Sequence, residues 1–198
     1  MSTAYWRVNP VAMIGAAVAL ISVFLPWWGI YESSLGVLTF FRRWTLWSPP
    51  GTTVLRAFGQ PRPVSATGLS QTFSASSLIV LTLALVAAAL AVAGSLTLIR
   101  KYLVAGLFLS ILTPIFYAAS ISYVTYNSCL TPQCSSGPVG SATAFDGATF
   151  GWGFETGFYI FIISATVLAL ALFMNNSLAR NSALQRAQVA VPTKKQLK

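Results

Sequence analysis

The sequence contains no histidine, only two cysteines and only three acidic residues in 198. Without an imidazole, no side chain has an ordinary titration near neutral pH, and catalysis or haem ligation built on histidine is excluded. Two cysteines are too few for a four-ligand zinc site. Charge of either sign is scarce, at 8% of residues against about 25% in a soluble domain. What charge there is runs one way, with twelve Lys and Arg giving a formal net charge of +9. A conventional water-soluble fold is excluded by this composition.

Hydrophobic residues make up 56% of the chain and gather in long runs. A helix needs about 20 apolar residues, at about 1.5 Å each, to cross a hydrocarbon core of about 30 Å. Four uncharged runs reach that length, at 11–30, 77–99, 102–124 and 154–174, and the one formal charge inside them is Glu155. The predicted fold is an all-α integral membrane protein, a four-helix transmembrane bundle with a small extracytoplasmic β-hairpin cap. The first run is followed by Pro26-Trp27-Trp28-Gly29 rather than by a small-residue cleavage site. It therefore reads as an uncleaved signal anchor ending in interfacial aromatics.

Lys and Arg accumulate on the cytoplasmic side of a membrane. Four crossings place 1–10, the turn at 100–101 and the tail 175–198 on one side. That side carries Arg7, Arg100, Lys101, Arg180, Arg186, Lys194, Lys195 and Lys198 and no acid. The external segments 31–76 and 125–153 carry Arg42, Arg43, Arg56 and Arg62. The expected location is the cell membrane, multi-pass, with both termini cytoplasmic. Charge divided between two sides of a membrane does not point to nucleic acid.

The first external segment is too long for a passive connection. Residues 37–47 and 52–58 are rich in aromatic and β-branched side chains, and Ser48-Pro49-Pro50-Gly51 between them reads as a turn, so a hairpin is predicted. The competing reading is a stretch lying among the headgroups, with arginines near phosphates. In the second external segment, Cys129 and Cys134 are spaced for a small structural disulfide around Pro132, which an oxidising exterior favours. A redox-active pair fits less well, because such pairs are usually separated by two residues.

Gly15, Ala19 and Ser22, and Ala84, Ala88, Ala91 and Ser95, recur at helical spacing and form packing seams. Gly106, Ser110, Thr113, Tyr117 and Ser120 share one helical face. Its hydroxyls at Ser110, Thr113, Tyr117 and Ser120 are a candidate lining for a solute path, or else interhelical hydrogen bonds. Pro114 removes a helix hydrogen bond in the same span. Glu155 is a candidate ion or proton site by virtue of its charge, but close to the boundary it has water or an external arginine as partners. Asn175-Asn176-Ser177 matches a glycosylation acceptor on what should be the cytoplasmic side. The last helix is expected to continue through 177–188 until Pro192 breaks it.

Four spans with inside termini, a long strand-bearing first external loop and a shorter second one resemble the plan of claudins and related tetraspan proteins. Trp28 and Leu46-Trp47 are similar to the Trp and Leu-Trp elements of that family's first loop. Here the cysteines fall in the second loop instead, so the resemblance extends to topology and three residues and implies no barrier or adhesion role.

No nucleophile with a base and no metal-ligand cluster is visible in the sequence. The function expected is therefore that of a non-catalytic membrane protein, a structural or accessory subunit of a larger membrane complex. Such a chain can belong to an enzyme complex without supplying catalytic residues. The alternative is a small channel or transporter, formed as an oligomer because four helices enclose little room. No cofactor is expected, and the partners expected are membrane lipids with other membrane-protein subunits or further copies of the chain.

Overall fold

Asn9 and Pro10 start the first helix by a familiar division of labour. The Asn9 side chain accepts a hydrogen bond from the Ala12 N–H at 3.2 Å, and proline, which has no N–H to satisfy, takes the first helical position. The computed structural model describes residues 8–34, 37–47, 53–55, 67–128, 137–143, 147 and 149–190. Among them the order is α1 (Pro10–Val23), β1 (Trp28–Ser34), β2 (Val37–Trp44), β3 (Thr53–Leu55), α2 (Thr67–Thr97), α3 (Arg100–Ser128), β4 (Gly140–Thr143), β5 (Thr149–Phe154) and α4 (Thr156–Ala190). The molecule is mostly helical, with one antiparallel sheet. Among the described residues, three stretches are long and apolar enough to cross a membrane, Ala75–Thr97, Arg100–Tyr126 and Thr156–Asn175.

The first expected span, 11–30, is not a continuous helix. Helix α1 has 14 residues, about 21 Å of rise. It closes with the Phe24 N–H on Ile21 O at 3.1 Å and the Leu25 N–H on Ser22 O at 3.2 Å. Pro26 then has no N–H to offer the helix, and the Trp27 N–H is taken by Trp44 O at 2.8 Å. The apolar run goes on past this point, but its backbone is paired in a sheet.

The expected hairpin is present as β2 and β3, paired antiparallel with Arg42 opposite Thr53 and Phe40 opposite Leu55. It is part of something larger. Among the described residues the sheet has five strands in the order β3-β2-β1-β5-β4, so strands from before α2 and from after α3 both contribute. The segment 125–153, expected as a second loop between spans, is partly regular structure: α3 continues to Ser128, and β4 and β5 follow. Trp28 lies opposite both Trp44 and Phe154, and Ile30 opposite Trp152. Cross-strand partners share a face, so one face of the sheet gathers Trp28, Ile30, Trp44, Trp152 and Phe154 against the bundle. Gly29, Tyr31, Arg43, Gly151 and Gly153 belong to the opposite face.

The helices pack in two storeys. Nearest the sheet, Trp27, Trp28, Trp44, Leu46, Val80, Ala84, Tyr117, Ile121, Trp152 and Phe161 form one buried cluster. Toward the α2–α3 turn a second cluster is built mostly from small residues, Ala12, Ala16, Ala91 and Ala171 with Leu103 and Leu168. Where lipid supplies no hydrophobic drive between helices, close backbone approach does the holding. A Cβ at Gly106 would stand 3.1 Å from Ala87 O and 3.2 Å from Ala91 N, so α3 rests on the backbone of α2 there. The residues of both small-residue seams are buried. Helix α3 runs through Pro114 as a single element, and α4 extends 15 residues past its apolar stretch to Ala190.

Candidate functional site

Trp27 is where sheet and bundle are joined. Its carbonyl accepts from the Glu155 N–H at 3.0 Å, so its backbone links the end of β2 to the start of α4. Its indole N–H donates to Ser22 O at 2.8 Å, taking up a carbonyl in the last turn of α1. The ring stands edge-on to Tyr117 at 5.2 Å and to Phe158 at 5.9 Å, and is tilted against Phe161 at 5.2 Å. Such pairs add to simple burial because ring edges and faces carry opposite partial charge. Gly157 leaves room for it: a Cβ there would lie 2.6 Å from the Trp27 ring and 2.8 Å from Pro26 O.

Two more indoles hold the loop before β4. Trp28 Nε1 donates to Pro138 O at 2.8 Å and Trp152 Nε1 to Gly137 O at 3.1 Å. The Thr125 hydroxyl, near the end of α3, sits 3.0 Å from Gly137 O. Trp28 also packs on Trp44, with ring centroids 5.0 Å apart. The indoles of Trp27, Trp28 and Trp152 thus each meet an acceptor, as burial of the N–H requires.

Glu155 lies between β5 and α4, not within a span. Its carbonyl accepts from the Phe158 N–H at 3.1 Å, opening the helix. Its carboxylate stands 3.6 Å from Arg43 Nε on β2, with the two side chains 21% and 51% exposed. This is a partly solvated ion pair at the foot of the sheet, between residues 112 positions apart, and neither side chain is placed deep among the helices.

The four hydroxyls of α3 do not form one open face. Ser110, Thr113 and Tyr117 are fully buried, whereas Ser120 is partly exposed. Ser110 donates to Gly106 O at 2.9 Å, Thr113 to Leu109 O at 2.7 Å and Ser120 to Phe116 O at 2.9 Å, in each case to the carbonyl four residues back. These hydroxyls therefore serve their own helix and not a neighbouring one. The Tyr117 hydroxyl is buried with no hydrogen-bond partner. A shallow groove of about 260 Å³ lies beside Ser120, lined also by Ser76, Ala119, Tyr123 and Val124.

At the far end, Asn9 and Asn175 make a second set of links. The Asn9 N–H donates to Ser95 O at 3.1 Å, Ser95 Oγ donates back to Asn9 O at 2.7 Å, and Asn9 Nδ2 donates to Ala171 O at 3.0 Å. One residue thus ties α1 to α2 and α4. Asn175 Nδ2 donates to Leu98 O at 3.1 Å. Leu98 has φ +56°, a left-handed conformation that a branched side chain adopts only when its surroundings hold it there. The glycosylation pattern falls on the same residue: in the folded chain Asn175 is helical and 1% exposed, and its amide nitrogen is engaged by Leu98 O.

Sequence reasoning singled out neither Asn9 nor Asn175 as a link. The Asn-Pro pair at 9–10 is a readable helix start, but nothing local marks Asn175 as a turn clamp. Cys129 and Cys134, the expected disulfide, lie outside the described residues. Among the described residues no group of three or more His, Cys, Asp and Glu is placed to hold a metal ion. No protein-family model matches the chain, and no curated protein is similar to it in sequence.

Proposed function

We propose that the chain is a four-crossing membrane protein of the cell membrane with both termini cytoplasmic, acting as a non-catalytic structural or accessory subunit of a larger membrane assembly. The observation that carries this reading is the division of side chains between inside and outside. Ile14, Ile21 and Phe24 on and just after α1, Phe108 and Ile115 on α3, and Leu170 and Phe173 on α4 all face outward, as lipid or an apolar partner demands. Inward-facing space is filled by alanines and aromatic rings, and most buried polar side chains are bonded to backbone carbonyls. Among the described residues no metal-ligand cluster accompanies this packing, and an antiparallel sheet is anchored to it.

In this reading α1 is the fourth crossing. At about 21 Å it is shorter than a hydrocarbon core of about 30 Å. Phe24 and Trp47, both exposed beyond the end of α1 with ring centroids 6.3 Å apart, extend its apolar surface, and tryptophan favours the water–lipid boundary. The foot of the sheet then sits at headgroup level. The claim is tested by purifying the full chain from its native membrane in mild detergent and measuring the mass of what emerges. A defined complex with other membrane subunits or further copies supports the reading, and a monodisperse monomer with no companion contradicts it.

A further inference from the structure

The only acidic residues are Glu32, Asp146 and Glu155. Glu32 lies in β1, and Glu155 stands beside Arg43 at the foot of the sheet. Asp146 belongs to the connection between β4 and β5 and lies outside the described residues. The opposite end of the bundle has a different inventory. Helix α3 opens with Arg100 and Lys101, both exposed, and neither the α2–α3 turn nor the start of α1 nor the chain beyond Glu155 carries an acidic side chain.

Intrinsic helix energetics do not explain this pair. Cations in the first turn of a helix are opposed by its dipole, whose positive end they share. No acidic side chain at this end offsets them, because Glu32, Asp146 and Glu155 all fall within or beside the strand-bearing segments at the other end. The counter-charge has to come from outside the chain. The turn also fixes the depth at which it must arrive. Leu96, Ile99 and Tyr102 are each exposed by 41–52% around the two cations. The turn itself is held by Asn175 on Leu98 O and by the Ile99 N–H on Thr97 Oγ1 at 3.3 Å. Apolar side chains beside a tyrosine and two long cationic stems are the arrangement that places charge at headgroup level while the stems lie along the acyl boundary.

We propose that the α2–α3 turn binds the phosphate of an anionic phospholipid headgroup through Arg100 and Lys101, in the leaflet that meets this end of the bundle. The proposal rests on the helices crossing a membrane and is independent of the subunit role.

The test is native mass spectrometry of the full-length chain in mild detergent, with phosphatidylglycerol or phosphatidylcholine of identical acyl chains added. The wild-type chain is expected to retain phosphatidylglycerol preferentially. The variant R100Q/K101Q should lose that preference, by about fivefold per charge removed, while R100K/K101R keeps it. The tail variant K194Q/K195Q should also keep it. Both side chains of the turn are exposed, and if the double substitution fails to purify, R100Q and K101Q singly carry the same comparison. Equal retention of the two lipids overturns the proposal, as does an undiminished preference in R100Q/K101Q or a preference lost in K194Q/K195Q alone. Displacement of the lipid by inorganic phosphate at equal concentration also overturns it, since the site would then be for the free anion.

Discussion

The two ends of the bundle are closed by different chemistry. At the sheet end, large rings fill the junction and the N–H groups of Trp27, Trp28 and Trp152 are satisfied by backbone carbonyls, Trp28 reaching Pro138 from the other strand-bearing segment. At the turn end, alanines let the helices come close and two asparagines do the linking. The difference follows from what each end has to join. Helix meeting helix leaves a narrow seam that small residues close, whereas a twisted sheet set on the ends of helices leaves a wide irregular gap that only aromatic side chains fill. The sheet end should accordingly depend on volume and the turn end on hydrogen-bond geometry.

Removing volume at the sheet end gives the largest expected effect. Trp27→Ala should lower stability by about 3–5 kcal/mol, seen as an earlier thermal unfolding of the detergent-solubilised chain with loss of the near-ultraviolet aromatic signal. A change no greater than that of the turn-end variants would erase the distinction. Asn9→Ala should cost about 1–2 kcal/mol, because it removes a helix cap and one bond to α4. Its signature should be earlier fraying of α1 in amide hydrogen exchange, with protection of the sheet strands unchanged. A loss confined to the sheet would break the comparison from the other side.

Tyr117→Phe sharpens it further. The ring is needed for packing beside Trp27, but the hydroxyl is buried without a partner. Deleting an unsatisfied polar atom while keeping the shape should leave stability unchanged or raise it by about 1 kcal/mol. A clear loss in thermal unfolding would assign the hydroxyl a partner and a role. The smallest effect belongs to Arg43→Gln. A pair this solvated is worth below about 1 kcal/mol, and a shift in melting temperature larger than that of Asn9→Ala would make Glu155 more than a surface partner.

Much of the helical part of this architecture is legible in the sequence. The runs that become α2, α3 and α4 are long, uncharged and interrupted by only one charge pair, Arg100-Lys101, and length alone identifies them. Hydropathy does not show where α1 ends, because Trp27, Trp28 and Ile30 are as apolar in a strand as in a helix, and Pro26 is the one local sign of the change. The hairpin of β2 and β3 is local and carries its own turn residues, so it can be read. Strands β4 and β5 cannot: Gly140, Gly151 and Gly153 give them the composition of a loop. Their glycines answer to tertiary demands instead. The Trp152 ring lies across Gly140 and the Tyr31 ring across Gly151, where no side chain would fit. Pairing of β1 with β5 joins segments more than a hundred residues apart, which no local pattern announces.

The site residues divide in the same way. The spacing of Ser110, Thr113 and Tyr117 correctly puts them on one helical face, but spacing does not say whether a hydroxyl reaches a neighbour or turns back on its own carbonyl. Glu155 stands out by its rarity, and its nearness to a boundary already pointed to an external arginine. Which arginine depends on the fold of β2.

The central claim is that the sheet and the α2–α3 turn lie on opposite sides of a membrane, with the turn inside. It is tested most directly by labelling sealed cells with a membrane-impermeant maleimide, in a background carrying Cys129→Ser and Cys134→Ser. Ser141→Cys, on the exposed edge strand β4, should be labelled on intact cells, and Lys101→Cys only after permeabilisation. Labelling of Lys101→Cys on intact cells, or protection of Ser141→Cys there, would contradict the account.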